Sequence, residues 1–284
     1  MTAAPTTWRQ NPGLAKAGTS EVEIILRAHG WWRPIDWREL WRHRELLGLM
    51  VWRDVKVRYK QTVLGAAWAI LQPLALMVVI SVFIGRFTGM ADPVVLYAGL
   101  LPWTFFAAAV GGASNSVVNH QHMIQKVYFP RLLIPISAIG APLLDYLLAS
   151  TVLFALMAWR GAVFSVSLCW LPVMTVSMVL AALGTGVMLA ALCVSYRDFR
   201  YVVPFLLQVW FFASGVIVPI ESVRWGWLLP VNPMFGLVTA MRAAALDQPI
   251  DFAGWAVSTL VAAGCLLVGV LFFQNRERRF ADII

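Results

Sequence analysis

Four groups of residues in this sequence could do chemistry. Asp145 is the clear ionisable side chain inside an otherwise apolar stretch. A charged acid at mid-membrane costs at least about 2.5–3.5 kcal/mol on insertion scales, so it reads either as a polar contact in a transport path or to a neighbouring helix, or as a protonated or hydrogen-bonded packing residue. Arg58, Tyr59 and Lys60 stand where a basic segment gives way to an apolar one, with Gly65 just beyond. The third group is aromatic. Trp210, Phe211 and Phe212 are consecutive, so on one helix they cannot all face the same way, and Trp68, Trp103 and Phe106 extend the series. Aromatic faces suit sugar rings, whose axial C–H bonds stack on π-systems, although core packing is the stronger explanation for any single ring. Trp103, Trp159 and Trp170 also fit an interfacial belt. The fourth group is Gln125, Lys126, Val127, Tyr128, Phe129, Pro130 and Arg131, where basic residues flank an exposed-looking Val-Tyr-Phe patch. Such a patch reads as a docking surface for a cytoplasmic partner, or as an aromatic pair lying against headgroups.

Several chemistries are missing. The phosphate-cradling pattern Gly-x-x-x-x-Gly-Lys-Ser/Thr is absent, so this chain is not expected to bind ATP in that way. No His/Cys/Asp/Glu cluster has metal spacing, and no Ser/His/Asp set is suggested. His120 and His122 read as solvated residues of an inner loop. Cys169, Cys193 and Cys265 fall in apolar runs and read as small buried hydrophobes. No catalytic residue, metal or bound cofactor is therefore expected.

The elements that position these groups follow from composition. Hydrophobic residues are 60% of the 284 positions and charged residues 13%, against about 25% charged in soluble domains. The chain reads as an all-α membrane protein. The net charge of +8 is not gathered into a groove-reading motif, so no nucleic-acid partner is implied. Residues 1–35 read as a disordered tail, with Pro5, Pro12, Gly13 and Gly18 interrupting any periodicity. Residues 36–65 read as an amphipathic interface helix in which Leu47, Val51, Val55 and Tyr59 form a stripe opposite Arg53, Lys56 and Lys60. Asp54 and Arg58 are spaced for a pair.

Residues 66–284 form the membrane domain, with six transmembrane helices expected at 66–85, 94–118, 133–159, 168–194, 202–218 and 254–273. Residues 219–253 are too apolar for a solvated loop and too broken for a span, so they read as re-entrant helices before the last span. With the N-terminus inside, inner segments carry eleven Lys/Arg before the first span, two in 119–132, two in 195–201 and three after Phe273. The other four of the 22, Arg86, Arg160, Arg224 and Arg242, lie outside. This bias puts both termini in the cytoplasm. No internal repeat is evident, which weakens transporter folds built on inverted halves.

The run Arg53, Asp54, Val55, Lys56, Val57, Arg58, Tyr59, Lys60, Gln61, Thr62, Val63, Leu64, Gly65, continuing to Gln72 and Pro73, resembles the approach to the first span in bacterial polysaccharide-exporting ABC transporter permeases of the O-antigen, capsule and teichoic-acid type. Leu101-Pro102-Trp103, Lys126 to Arg131, Tyr196-Arg197-Asp198 and Asn232-Pro233 match in the same order, and the resemblance covers about residues 35–280. It implies a homodimer in the bacterial inner membrane, working with two copies of a separate cytoplasmic ATPase that binds ATP and Mg. The cargo it implies is a polysaccharide linked to undecaprenyl diphosphate. Under it, Arg58, Tyr59 and Lys60 lie where the lipid-linked glycan comes in. Trp68, Trp103, Phe106, Asp145, Trp210, Phe211 and Phe212 line its path, and Gln125, Lys126, Val127, Tyr128, Phe129 and Arg131 couple to the ATPase. An exporter of a smaller lipid or drug, or an ion-coupled secondary transporter using Asp145, stay open as alternatives.

Overall fold

Backbone that enters lipid must satisfy its own hydrogen bonds, and every regular element among the described residues is helical. The computed structural model describes residues 37–60, 62, 64–88, 92–126, 129–161, 165–216 and 231–283. The tail 1–35, Val127, Tyr128 and most of the first half of the expected re-entrant segment lie outside them. In chain order the helices are α1 (Trp37–Arg42), α2 (Arg44–Tyr59), α3 (Ala67–Thr88), α4 (Pro93–Asn119), α5 (Gln121–Lys126), α6 (Leu133–Ser137), α7 (Gly140–Trp159), α8 (Leu171–Ser195), α9 (Phe199–Ala213), α10 (Pro233–Ala245) and α11 (Phe252–Ile283). A 3-10 turn, Val166–Trp170, leads into α8.

Among the described residues four stretches are long and apolar enough to cross a membrane: Pro93–Asn119, Leu133–Trp159, Val166–Ser195 and Phe252–Glu277. They match the expected spans at 94–118, 133–159, 168–194 and 254–273. The other two expectations fall on α3, apolar over Ala67–Phe83 within its 22 residues, and on the shorter Phe199–Ala213. At 1.5 Å per residue the 15 residues of α9 give about 22 Å, less than the roughly 30 Å of a hydrocarbon core. The helix stops because the chain turns through Ser214 and Gly215, whose φ is +72°. The Asn232 side-chain amide then donates to the Ala213 carbonyl at 2.8 Å, satisfying one of the final orphan acceptors. The same Asn232 caps α10 by accepting from the Met234 N–H at 3.2 Å, with Pro233 following. Asp92 and Pro93 start α4 by the same device.

The centre of the bundle is α4 and α8, which bury most of their length. α8 packs against α11 on one side and α4 on the other, while α7 and α3 cover α4 elsewhere. Close approach needs small residues. A Cβ on Gly184 would lie 2.5 Å from the Leu266 nitrogen of α11, and one on Gly186 would lie 2.7 Å from the Ala113 Cβ of α4. One turn of α8 thus admits two neighbours.

α2 packs on α6 and α7. Met50 is buried, Val51, Val55 and Tyr59 are half-buried, and Leu49, Trp52 and Val57 are exposed. The predicted stripe is therefore turned toward protein, and a different apolar set faces outward. A second, smaller core gathers Met50, Val117, Phe129, Leu133, Ile134, Val187, Val194 and Phe273.

Candidate functional site

The last turn of α2 delivers Arg58 and Tyr59 to the flank of α7, where Asp145 sits. The Arg58 guanidinium Nη2 lies 2.6 Å from Asp145 Oδ2, and the Tyr59 hydroxyl donates to Asp145 Oδ1. Asp145 is thus neither isolated nor buried among apolar groups; two adjacent residues of α2 take one carboxylate oxygen each. Its side chain is 16% exposed, that of Arg58 42%. Burial first, then the hydrogen bond and charge of Asp145, push the Tyr59 phenol up to about 12, with the Arg58 charge pulling the other way. At neutral pH the phenol is therefore a donor.

The expected Asp54–Arg58 pair does not form. Arg53 takes Asp54 instead, at 2.9 Å, because Arg58 is drawn to the acid of α7. Arg53 also meets His120 Nε2, whose Nδ1 lies 2.7 Å from the Ser116 carbonyl oxygen. His120 is accordingly a packed end-cap of α4, not a solvated loop residue. His122 is exposed.

The Arg58–Asp145 pair lines a cleft between α2, α3, α4 and α7 that encloses about 640 Å³ including its mouth. Trp68, Gln72, Thr104, Phe105 and Tyr146 also line it. Gly65, at φ +50°, lies in the turn between α2 and α3 and forms part of the wall. Three residues predicted from sequence to lie near the substrate's way in or along its path, Arg58, Tyr59 and Asp145, are therefore brought into contact, with Trp68 beside them. Lys60 closes α2 with its backbone N–H on Lys56 O at 2.8 Å; its side chain is exposed and lies outside the cleft lining. Sequence reasoning met Gln72 only as part of the run approaching the first span, and it missed Thr104, Phe105 and Tyr146. None of these three carries a charge or a pattern, although Tyr146 adjoins Asp145.

The predicted path aromatics gather elsewhere, between α4 and α9. Trp103 lies 5.7 Å from both Phe106 and Phe211, and Phe106 meets Trp210 edge-on at 5.2 Å. Trp210 Nε1 donates to Asn232 Oδ1 at 2.8 Å, which ties the stack to the start of α10. Trp103 and Phe106 are buried within the chain, whereas Phe212 is 71% exposed. Trp159 and Trp170 are exposed as an interfacial belt requires, but Trp103 is core.

The predicted coupling loop is corrected at one residue. Phe129 is buried in the smaller core, which draws on α2, α4, α6, α8 and α11, instead of contributing to an exposed patch. Arg131 Nη1 donates to the Glu277 carbonyl of α11 at 2.6 Å. Gln125 and Lys126 are exposed at the end of α5, and Val127 and Tyr128 lie outside the described residues. Among the cysteines Cys193 is buried, but Cys169 is exposed in the 3-10 turn before α8. No group of three or more metal-ligating side chains occurs among the described residues.

The profile of the ABC-2 type transporter family matches residues 45–246, which include α3 through α10 and nearly all of α2. An O-antigen export system permease protein RfbA of Myxococcus xanthus is 30% identical over 260 residues, 87% of this chain and 98% of the relative. A protein of the same name from Klebsiella pneumoniae is 26% identical over 249 residues, 84% and 95% of the two chains. The polysialic acid transport protein KpsM of Escherichia coli is 27% identical over 242 residues, 79% and 91%. Permeases of this kind are multi-pass membrane subunits that work with a cytoplasmic ATPase partner, to which the hydrolysis of ATP belongs. By profile and by relatives alike, the chain belongs to the ABC-2 type transporter family.

Proposed function

We propose that this chain is the permease subunit of an ATP-driven exporter that moves an undecaprenyl-diphosphate-linked polysaccharide across the bacterial inner membrane. The observation that carries the reading is the near full-length match to permeases named for O-antigen and polysialic acid transport, at 91–98% of each relative's length. The cleft supports it: a guanidinium for a phosphate, neutral hydrogen-bonding groups and aromatic rings for sugar or lipid lie together in one place. In this reading two copies of the chain form the channel. Two ATPase subunits dock beneath it and bind the ATP and Mg; this chain binds neither. α3 and α9 serve as the first and fifth of six spans, and α10 dips in from the outer face without crossing. Both termini are cytoplasmic, and α2 lies at the inner interface, where exposed Leu49, Trp52 and Val57 meet lipid.

Arg58 and Tyr59 receive the diphosphate, and Lys60 adds charge outside the cleft. The stack of Trp103, Phe106, Trp210 and Phe211 braces the channel wall, leaving exposed Phe212 free to meet the glycan. Gln125 and Lys126 touch the ATPase, while Phe129 and Arg131 hold their loop in place. The test is deletion of the chain from its host. Lipid-linked polysaccharide should accumulate on the cytoplasmic leaflet and vanish from the surface, with restoration by the wild-type chain and not by Arg58→Glu. Normal surface polysaccharide after deletion would contradict the reading.

A further inference from the structure

We propose that Asp145 is a built-in competitor for the anion that Arg58 is placed to bind. Its carboxylate occupies the guanidinium while the cleft is empty and surrenders it when a phosphate-bearing ligand arrives. This inference rests on the reading of the cleft as the place where a diphosphate-linked cargo is received.

A guanidinium presents a planar fork of donors that suits a carboxylate and a phosphate equally in shape, so the two compete for one site. In this chain one arm of the fork is taken: Arg58 Nη2 is 2.6 Å from Asp145 Oδ2. Among the described residues Arg58 and Asp145 are the only charged ones lining the cleft, so with the pair closed these two offer an anion no net charge. The remaining lining is neutral and includes Gln72, Thr104 and Tyr146. A pair that merely bolted α2 to α7 would need no cavity beside it, yet this one borders an open cleft with Arg58 42% exposed. Tyr59 holds the other carboxylate oxygen and so acts as a positioning residue, keeping Asp145 in place after Arg58 lets go. Once freed, the carboxylate repels the bound phosphate and is ready to retake Arg58. The competitor therefore limits how tightly an anionic headgroup is held, which favours its onward movement.

The test uses the chain with its ATPase partner in lipid nanodiscs and measures binding of farnesyl diphosphate, inorganic diphosphate and farnesol. Removing the competing charge with Asp145→Asn should tighten diphosphate binding about tenfold and leave farnesol unchanged, while Arg58→Gln should abolish diphosphate binding. A gain for farnesyl diphosphate alone identifies a lipid headgroup as the ligand, whereas an equal gain for inorganic diphosphate identifies a free phosphate; either supports the competitor. If the wild type binds and Arg58→Gln does not, but Asp145→Asn binds equally or more weakly, the competitor is refuted and the lipid-diphosphate reading stands. If no form binds either diphosphate, both are refuted. A measurement on the unaltered chain guards against a variant that fails to fold. Adding farnesyl diphosphate should shift a carboxylate stretching band in the infrared difference spectrum, and an unchanged band would overturn the exchange.

Discussion

Replacing Gly184 by alanine tests the packing on which the whole bundle depends. The added Cβ would lie 2.5 Å from the Leu266 nitrogen, 2.8 Å from the Cys265 carbonyl carbon and 2.8 Å from the Leu266 Cα, all backbone atoms of α11. Ordinary contacts begin at 3.4 Å, so α11 must retreat by about 1 Å or leave its register. Overpacking of this kind costs about 1–3 kcal/mol. Because backbone rather than a flexible side chain is struck, the upper end applies. Alanine recovers up to about 1 kcal/mol of helix propensity, leaving a net loss of about 2 kcal/mol. Gly264, on α11 itself, has nothing within 4 Å of its would-be Cβ, so Gly264→Ala should be neutral or gain up to about 1 kcal/mol. The two variants should therefore differ by about 2–3 kcal/mol in unfolding by SDS titration in mixed micelles, followed by tryptophan fluorescence. Equal stability, or Gly264→Ala as the weaker of the two, would refute the assignment of Gly184 as the contact point of α8 and α11.

Three further outcomes follow from the geometry. Tyr59 is pushed up to about 12 from an ordinary value of 10, so what it contributes to stability is fully present below pH 10 and is lost as pH rises through about 12; ultraviolet difference titration of wild type against Tyr59→Phe should show a phenol ionising near 12, and one ionising near 10 would contradict its burial against α7 beside Asp145. Asn232→Ala removes the cap of α10 and leaves Trp210 Nε1 and the Ala213 carbonyl unpaired, a loss of about 2–3 kcal/mol in thermal unfolding; Asn232→Asp, which keeps the acceptor, should lose less. Lys126→Glu should lower transport-coupled ATP hydrolysis with unfolding unchanged, because its side chain is exposed, whereas Arg131→Ala should also lower stability by releasing the Glu277 carbonyl. Equal stability of the two would dissolve that distinction.

The four long spans were legible because an apolar run of 25 or so residues has few other ways to satisfy its backbone. The end of α9 was not, since it is fixed by an Asn232 side chain lying 19 residues beyond Ala213. Asp145 stood out as an acid in an apolar run, but its partners did not. They are 86 and 87 positions away, and the local spacing of Asp54 and Arg58 offered a pair that α7 outcompetes. Phe129 misled because a hydrophobic residue between basic neighbours looks exposed until residues of the distant α8 and α11 gather with it in one core. The run of Trp210 to Phe212 announced that its rings must diverge. Which ring faces Asn232 and which faces outward depended on how α9 meets α4.

On the proposed function, this permease carries a lipid-linked polysaccharide only with its ATPase and admits it past Arg58. The most direct measurement is ATP-dependent movement of that polysaccharide across proteoliposomes holding the purified permease, with and without the ATPase. Transport should require the ATPase and ATP, fail with Arg58→Gln, and be indifferent to an imposed ion gradient. Transport by the permease alone, driven by such a gradient, would contradict the account.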